Sequence, residues 1–240
     1  MLEVWSWPTP NGQKVHIALE ELGLEYKIIA VNIGAGDQFK PEFLKITPNH
    51  RIPALVDTDG PGGKSFTLFE SAAIMVYLSD KAGGKLIPKD PIGHYKCLEW
   101  MMFQMGGVGP MFGQWNHFGA YAPEKIPYAI ERYGNEAKRL TRVLNTRLGE
   151  TQWLAGDEYS MADIITFPWL RTASDPSPRF DQRGYIDLGE FPHVKRWFDA
   201  VDARPAVQRG LHVLAAARDE KAITDAEREV YFGKTQYQAR

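Results

Sequence analysis

A chain of 240 residues with a net charge of −2 lacks the surplus of basic residues that binding to nucleic acid or to an anionic membrane requires. It contains no apolar run long enough to span a bilayer, and its first residues are typical of a strand rather than of a secretion signal. The single cysteine, Cys97, excludes an intrachain disulfide, and the histidines lack the spacing of metal ligands, so we expect a cytoplasmic globular protein without a metal site.

The first 83 residues predict a mixed α/β unit. Short β-rich runs alternate with amphipathic segments, and the glycine-rich turn at 59–63 indicates a hairpin. We expect strands at residues 2–6, 26–31, 54–56 and 67–69, and helices at 11–23, 41–46 and 70–82. The resulting order, βαβ followed by αββα, is typical of a thioredoxin-like fold.

From residue 92 onward the strand signals vanish and the pattern is helical. Helices are expected at 92–120, 124–149, 192–204 and 206–217, and after a helix-start signature at 160–163. The run 106–110 should kink or break the first of them, and 174–189 should be an irregular loop. The predicted domains are therefore 1–83 and 92–217, joined by a linker at 84–91 and followed by a charged tail, 218–240, that is mobile or lies over the surface.

Two short segments predict a clamp for a ligand. Ile52 precedes Pro53, which restricts it to an extended backbone whose N–H and C=O can pair with a group outside the sheet. Glu70 and Ser71 open a helical pattern, where backbone N–H groups and the helix dipole favour a bound anion. Together they indicate an extended, peptide-like ligand with a carboxylate at one end.

The turn between the first strand and the first helix carries Thr9, Pro10, Asn11 and Gly12. Thioredoxin-like redox proteins place Cys-x-x-Cys at this junction, because a helix N-terminus lowers the pKa of a thiol. This chain has no sulfur there, so any thiol chemistry must use sulfur brought in by the ligand. Thr9 and Asn11 are donors suited to holding a thiolate. The alternative is that one of them merely caps the helix.

Several motifs resemble those of the Nu-class bacterial glutathione transferases, which include disulfide-bond oxidoreductases. The similar segments are 9–15, 36–39, 48–53, 68–71, 126–133, 153–156 and 159–164. The similarity is dense over residues 1–170 and looser after 190, with departures at 174–189 and in the tail. It implies the glutathione transferase fold, an α/β thioredoxin-like N-terminal domain followed by an all-α C-terminal domain.

The resemblance also implies how glutathione would bind. Thr9 and Asn11 would approach its sulfur, Ile52 would pair its backbone with the cysteinyl peptide, and Gln38 would reach the glycyl end. The bound species would be glutathione or glutathione disulfide.

The remaining implied contacts concern the other end of the ligand. Glu70 and Ser71 would bind the γ-glutamyl group, with the acid facing its ammonium and the helix N-terminus facing its carboxylate. Arg132 would arrive from the second subunit of a homodimer. Without the resemblance, Arg132 would be interpreted as a solvated charge that pairs with Glu136 on the same helix.

Three other features favour structural interpretations. Cys97 lies within a predicted helix without a basic partner pattern. Ser6 lacks a nearby His/Asp set, which argues against a nucleophile. The large apolar residues at 100–105 indicate core and dimer wall rather than a cofactor site, although the same helix could line an apolar pocket near the sulfur.

Three functions remain open from the residues. The first is an enzyme that reduces disulfides with two glutathiones, or acts on glutathione disulfide. The second is a transferase that conjugates glutathione to an electrophile, and the third is a glutathione-binding regulatory protein with little turnover. The absence of a Tyr, Ser or Cys of the usual transferase kind favours the first over the second. No residue pattern separates the first from the third.

Overall fold

The computed structural model describes residues 1–177, 184–217 and 224–238 of the chain. Its N-terminal part contains the strands and helices that the pattern predicts, with small shifts at their ends. The strands are β1 (Leu2–Ser6), β2 (Tyr26–Ala30), β3 (Ala54–Asp57) and β4 (Phe66–Phe69), and the helices are α1 (Pro10–Leu22), α2 (Pro41–Leu44) and α3 (Ser71–Lys81).

The four strands form one sheet in the order β2-β1-β3-β4, with β1 and β2 parallel and the other pairs antiparallel. In the register, Trp5 lies opposite Ala54, and Ala54 lies opposite Phe69. The end of β1, the start of β3 and the end of β4 therefore share one edge of the sheet. This edge brings together the three predicted segments that carry Thr9, Ile52 and Glu70.

The second part is helical, as predicted. Its helices are α4 (Pro91–Phe103), α5 (Gly109–Asn116), α6 (Pro127–Glu150), α7 (Met161–Ala173), α8 (Pro192–Asp202) and α9 (Pro205–His212). The glycine-rich run does interrupt α-helical hydrogen bonding, but the chain does not break. It forms a π-helical segment, Gln104–Val108, and Pro110 falls in the first turn of α5, where its missing N–H is tolerated. Among the described residues, no helix is both long enough and apolar enough to cross a membrane.

The C-terminal tail is more ordered than its charged composition predicts. Within it lie helix α10 (Asp225–Phe232) and a short 3₁₀ turn, Lys234–Tyr237. Thr224 and Glu227 form a capping box at the start of α10, a T-x-x-E signature that the sequence contains. Residues 218–223 and 239–240 of the tail, and 178–183 of the predicted irregular loop, lie outside the described residues.

A buried carboxyl group fixes the start of α7. Asp163 accepts hydrogen bonds from the backbone N–H groups of Leu154 and Ser160, both at 2.9 Å, and from Trp197 Nε1 at 2.8 Å. Ser160 caps the helix in return, which completes the capping box that the sequence predicts. The side chain thereby ties the 151–160 loop, α7 and α8 together.

We predict that Asp163→Ala lowers the free energy of unfolding by roughly 3 kcal/mol or more, because each buried donor that loses its partner costs about 1–3 kcal/mol. Thr166→Ala is the matched control and should cost about 1 kcal/mol, since this buried hydroxyl donates to Ala162 O of its own helix, at 2.8 Å, and forms no other hydrogen bond within the described part of the chain. Urea denaturation measures both. Equal losses in the two variants would contradict the bridging role of Asp163.

Candidate functional site

A cavity of about 610 Å³ opens at the sheet edge that the register brings together. Its wall contains four of the predicted site residues: Thr9, Asn11, Gln38 and Ile52. Further wall residues come from α5, α7 and α10 of the helical part. They include Gly113, Asn116, Trp169, Thr172, Glu227 and Tyr231.

The first turn of α1 supplies Thr9 at the cavity wall. Thr9 is the N-cap of α1, and its Oγ1 accepts the N–H of Gly12 at 3.3 Å, so the capping alternative is correct as a contact. A hydroxyl that accepts a hydrogen bond still carries its own hydrogen, which remains available to a ligand. Gly12 is required here, because an added Cβ would lie 2.1 Å from the carbonyl oxygen of Trp7.

Asn11 is oriented by a residue far away in the sequence. Trp169 of α7 donates its indole Nε1–H to Asn11 Oδ1 at 3.1 Å. Because an indole N–H can only donate, the contacting atom of Asn11 must be its amide oxygen. The amide nitrogen of Asn11 is therefore the atom left to serve the cavity, and it carries two hydrogens.

Gln38 and Ile52 present polar groups at the same wall. Gln38 is buried and donates Nε2–H to Ile33 O at 3.2 Å, and its Oε1 finds no hydrogen-bond partner within the described chain. An orphaned buried acceptor is unusual in folded proteins and suits a ligand N–H. Ile52 is joined to Pro53 by a cis peptide bond and lies outside the β3 ladder, which begins at Ala54.

Glu70 and Ser71 lie at the same sheet edge but outside the wall of the 610 Å³ cavity. Glu70 is exposed and adopts a positive φ of 72°, which a non-glycine residue rarely adopts and which turns the chain from β4 into α3. Ser71 is the buried first residue of α3. The structure therefore places this pair at a helix N-terminus, beside the cavity.

Arg132 lies apart from these residues. It is exposed on α6 and lines a separate depression of about 560 Å³ together with Met111 and Tyr128. The ion pair with Glu136 that its spacing suggests is not formed, because Glu136 is held by Arg139 in two hydrogen bonds of 2.8 Å. Within one chain, Arg132 does not reach the cavity that contains Thr9 and Asn11.

The sequence predicts that Ser6 lacks a nearby His/Asp set, and among the described residues the structure places a histidine beside Ser6 but no acid on that histidine. His16 Nε2 lies 2.9 Å from Ser6 Oγ, because one helical turn of α1 returns over the end of β1. Both residues are fully buried, and burial lowers the pKa of His16 to about 4. His16 Nδ1 has no partner among the described residues. The pair thus lacks both an acid and access for a substrate, and it serves the core.

The thiol of Cys97 is fully buried on α4. Burial raises its pKa, which keeps the sulfur protonated and unreactive at neutral pH. Across the described residues, no group of three or more His, Cys, Asp or Glu side chains is arranged to hold a metal ion.

The C-terminal tail supplies part of the cavity wall, which the sequence did not predict. Phe232 of α10 packs its ring against His117 and Tyr121, with centroids 4.6 and 5.6 Å apart. Arg51, next to the predicted Ile52, donates from Nη1 to Gln236 Oε1 at 2.6 Å. The T-x-x-E signature at 224–227 is a local signal from which the helix could have been predicted, but no local signal shows where that helix docks.

Comparisons with known proteins agree with the fold. The model of the glutathione S-transferase N-terminal domain matches residues 1–80, and that of the C-terminal domain matches residues 120–205. The disulfide-bond oxidoreductase YfcG of Escherichia coli strain K12 is 44% identical over 223 residues, which cover 92% of this chain and 99% of that protein.

Two solved structures are similar along most of their length. A glutathione transferase from Burkholderia graminis, with two glutathione molecules bound per subunit, is 46% identical with a TM-score of 0.83, covering 91% of this chain and 89% of that one. A glutathione transferase from Pseudomonas putida, with one glutathione disulfide per subunit, is 44% identical with a TM-score of 0.82, covering 88% and 91%.

We predict that Phe232→Ala loosens α10, because the variant loses its two ring contacts with residues outside the helix, His117 and Tyr121, each worth about 0.5–1.5 kcal/mol. Amide hydrogen exchange over residues 225–232 should become roughly tenfold faster, while exchange in α7 stays unchanged. Tyr237→Ala, which removes a largely exposed ring, is the matched control and should leave the exchange of α10 as it is. Unchanged exchange in Phe232→Ala would show that other contacts hold the helix.

Proposed function

Because the chain belongs to the glutathione S-transferase family, we propose that it is a glutathione-dependent disulfide-bond oxidoreductase in which Thr9 and Asn11 hold the thiolate of bound glutathione. The similarity to YfcG over nearly the whole of that protein supports the reaction class. The similar structures that contain glutathione or its disulfide support the ligand.

The observation that carries the proposal is the hydrogen bond from Trp169 to Asn11. It occupies the acceptor atom of the amide and leaves the donor atom for a ligand in the cavity that Asn11 lines, which is the polarity that a thiolate needs. Thr9 adds a hydroxyl hydrogen, and the first N–H groups of α1 add the positive end of a helix dipole. All three contributions favour an anion at this point.

The sulfur in this mechanism comes from the ligand. Cys97 is enclosed in the core with a raised pKa, and the α1 turn contains no thiol. A bound glutathione thiolate attacks one sulfur of a disulfide, a mixed disulfide forms, and the other sulfur leaves as a thiolate that takes a proton from water. A second glutathione thiolate then attacks the glutathione sulfur of the mixed disulfide, which yields glutathione disulfide and the second reduced thiol. A reducing, cytoplasmic setting fits this use of glutathione.

The rest of glutathione follows the shared sheet edge in this proposal. The backbone of Ile52 pairs with the cysteinyl peptide, and Gln38 reaches the glycyl end from its buried position on the cavity wall. Glu70 and Ser71 receive the γ-glutamyl ammonium and carboxylate at the N-terminus of α3. These groups hold the thiolate at the N-terminus of α1.

We also propose a homodimer in which Arg132 of the partner subunit completes the site. Exposed apolar side chains support an interface on this side of the molecule: Ile92, Tyr95 and Met102 share one face of α4, and Tyr128 lies one turn before Arg132 on α6. Large apolar groups left in water are typical of a surface that a second chain covers.

We predict that Asn11→Ala lowers the rate of disulfide reduction about 10- to 100-fold, since a lost charge-assisted hydrogen bond costs about 1.5–3 kcal/mol. Glutathione affinity should fall less than kcat, because the contact matters most to the thiolate. Trp169→Phe should give a smaller loss, because it removes only the group that orients Asn11. The assay is reduction of a small disulfide with glutathione, compared with conjugation of a chlorinated aromatic.

Two controls accompany this assay. Asn145→Ala makes the same change far from the cavity, where the amide accepts from the N–H groups of His193 and Val194, and should leave kcat unaltered. Cys97→Ala should also retain turnover. Loss of activity in Cys97→Ala with full activity in Asn11→Ala would mean that the protein supplies the sulfur, and faster conjugation than reduction would favour a transferase.

We predict that the protein sediments as a dimer at micromolar concentration, at twice the chain mass of 27.1 kDa. Met102→Glu should shift it toward monomer, since it places a charge on the apolar face of α4. Tyr237→Ala, which also removes an exposed apolar group but from the tail, should not. A monomer of the unaltered protein would refute both the interface and the role of Arg132.

A further inference from the structure

A lysine lies in the interior directly behind the start of α3. Lys14 of α1 is only 1% exposed. Its Nζ donates to Gln104 Oε1 at 2.7 Å and to Ser71 Oγ at 3.4 Å, and lies 3.6 Å from Met105 Sδ. One ammonium thus connects α1, the first residue of α3 and the π-helical segment of the helical part.

The partners of this lysine do not neutralise it. All three are uncharged, and Lys14 forms no ion pair with any described residue. Burial lowers the pKa of Lys14 to about 7, and the nearby charge of Glu70 opposes part of that effect. A buried cation that lacks a carboxylate partner is costly, and such a cation is stabilised when an anion arrives beside it.

The hydrogen bond to Ser71 has a direction that matters for a ligand. When Lys14 is protonated, its ammonium can only donate, so Ser71 Oγ then accepts from Lys14 and directs its own hydrogen elsewhere. The acceptor that the hydroxyl has in the chain is Met105 Sδ at 3.5 Å, and a thioether is a weak acceptor. A carboxylate at the N-terminus of α3 would be a far better acceptor for this hydrogen.

We propose that Lys14 is a positioning residue for the ligand carboxylate: it orients the Ser71 hydroxyl as a donor and supplies the buried counter-charge, so that carboxylate binding takes up a proton. This inference rests on the proposed function, because it assumes that the γ-glutamyl carboxylate binds at Ser71. Lys14 acts through Ser71 and does not touch the reacting sulfur.

The sign of the pH effect follows from the lowered pKa. In the free protein Lys14 is protonated below about pH 7 and neutral above it. A bound carboxylate favours the charged form, so its affinity is full below pH 7 and falls as the pH rises through and above that value. If the complex keeps the lysine charged throughout, the affinity should fall about tenfold between pH 6 and pH 8.

Other titratable groups around α1 are committed elsewhere. His16, on the same helix, contacts Ser6, and burial holds its pKa near 4. Asp163 of α7 is bound by backbone N–H groups and by Trp197. Arg204 and Arg209, at and within α9, pair with Glu21 and Glu20 at the far end of α1. Glu70 is the charged side chain that acts on Lys14, and Gln104 and Met105 face it from the helical part without charge.

The test is calorimetric titration of the full-length protein with S-methylglutathione, which has no thiol to titrate. Affinity is measured from pH 6 to pH 8 for the wild-type protein and for Lys14→Gln, which keeps a donor but cannot ionise. We expect the wild-type affinity to fall about tenfold over this range and the variant to lose that slope, with Lys14→Arg restoring high affinity at pH 8. Subtracting the variant removes titration of the ligand and of other residues.

A second measurement needs only the wild-type protein. Titrations at pH 7.5 in buffers of different ionisation enthalpy should show uptake of roughly 0.8 protons per ligand bound. No proton uptake, or the same pH slope in Lys14→Gln as in the wild type, would overturn the inference. Proton-linked binding without disulfide reduction would support the inference while refuting the proposed function, whereas absence of any binding would refute both.

Discussion

Helix α1 lies between the sheet and the helical part, and two glycines let it approach its neighbours more closely than any side chain would allow. At the start of α1, an added Cβ on Gly12 would lie 2.1 Å from Trp7 O. Where α9 packs against α1, an added Cβ on Gly210 would lie 2.6 Å from Ile17 Cα. This close packing fixes the direction of the helix axis. The direction of the axis determines where its N-terminal donors and its inward-facing side chains lie. The cavity wall, the sheet edge and the helical part are arranged around these groups.

The two buried basic side chains of α1, His16 and Lys14, differ in the groups that they contact. His16 contacts a neutral hydroxyl, and burial keeps it uncharged, so it behaves as a polar member of the core. Lys14 is equally buried, but it contacts the residue that begins α3 and feels the charge of Glu70. Desolvation lowers the pKa of both groups, and their different neighbours decide which of them can respond to a ligand.

Local patterns were sufficient to predict most of the strands and helices. The alternation of residues 2–6, the C-terminal stop at Gly23 and the capping box at Ser160 each depend on residues within one or two turns, and all three are found. The π-helical form of 104–108, the Ser6–His16 contact and the Trp169–Asn11 bond depend on packing between distant segments. No periodicity in the chain encodes a hydrogen bond between residues 158 positions apart. For the same reason, the charge of the tail was visible in the sequence, whereas its docking against His117 was not.

The walls of the cavity come from segments inside and outside the two family matches. Thr9, Gln38 and Ile52 lie in the segment that matches the N-terminal family model, and Trp169, which orients Asn11, lies in the segment that matches the C-terminal one. Helix α10 and the 3₁₀ turn after it lie beyond both matched segments, and they line the cavity with the ring of Phe232 and with Gln236, which accepts from Arg51. The groups proposed to hold the thiolate thus belong to the part shared with the family, and the wall residues from the tail belong to a segment outside the match. That part of the wall is held by ring contacts and by hydrogen bonds such as Arg51 to Gln236 and Arg228 to Tyr121 O, rather than by the core. The size of the cavity and the chemistry at α1 are therefore set by separate parts of the chain.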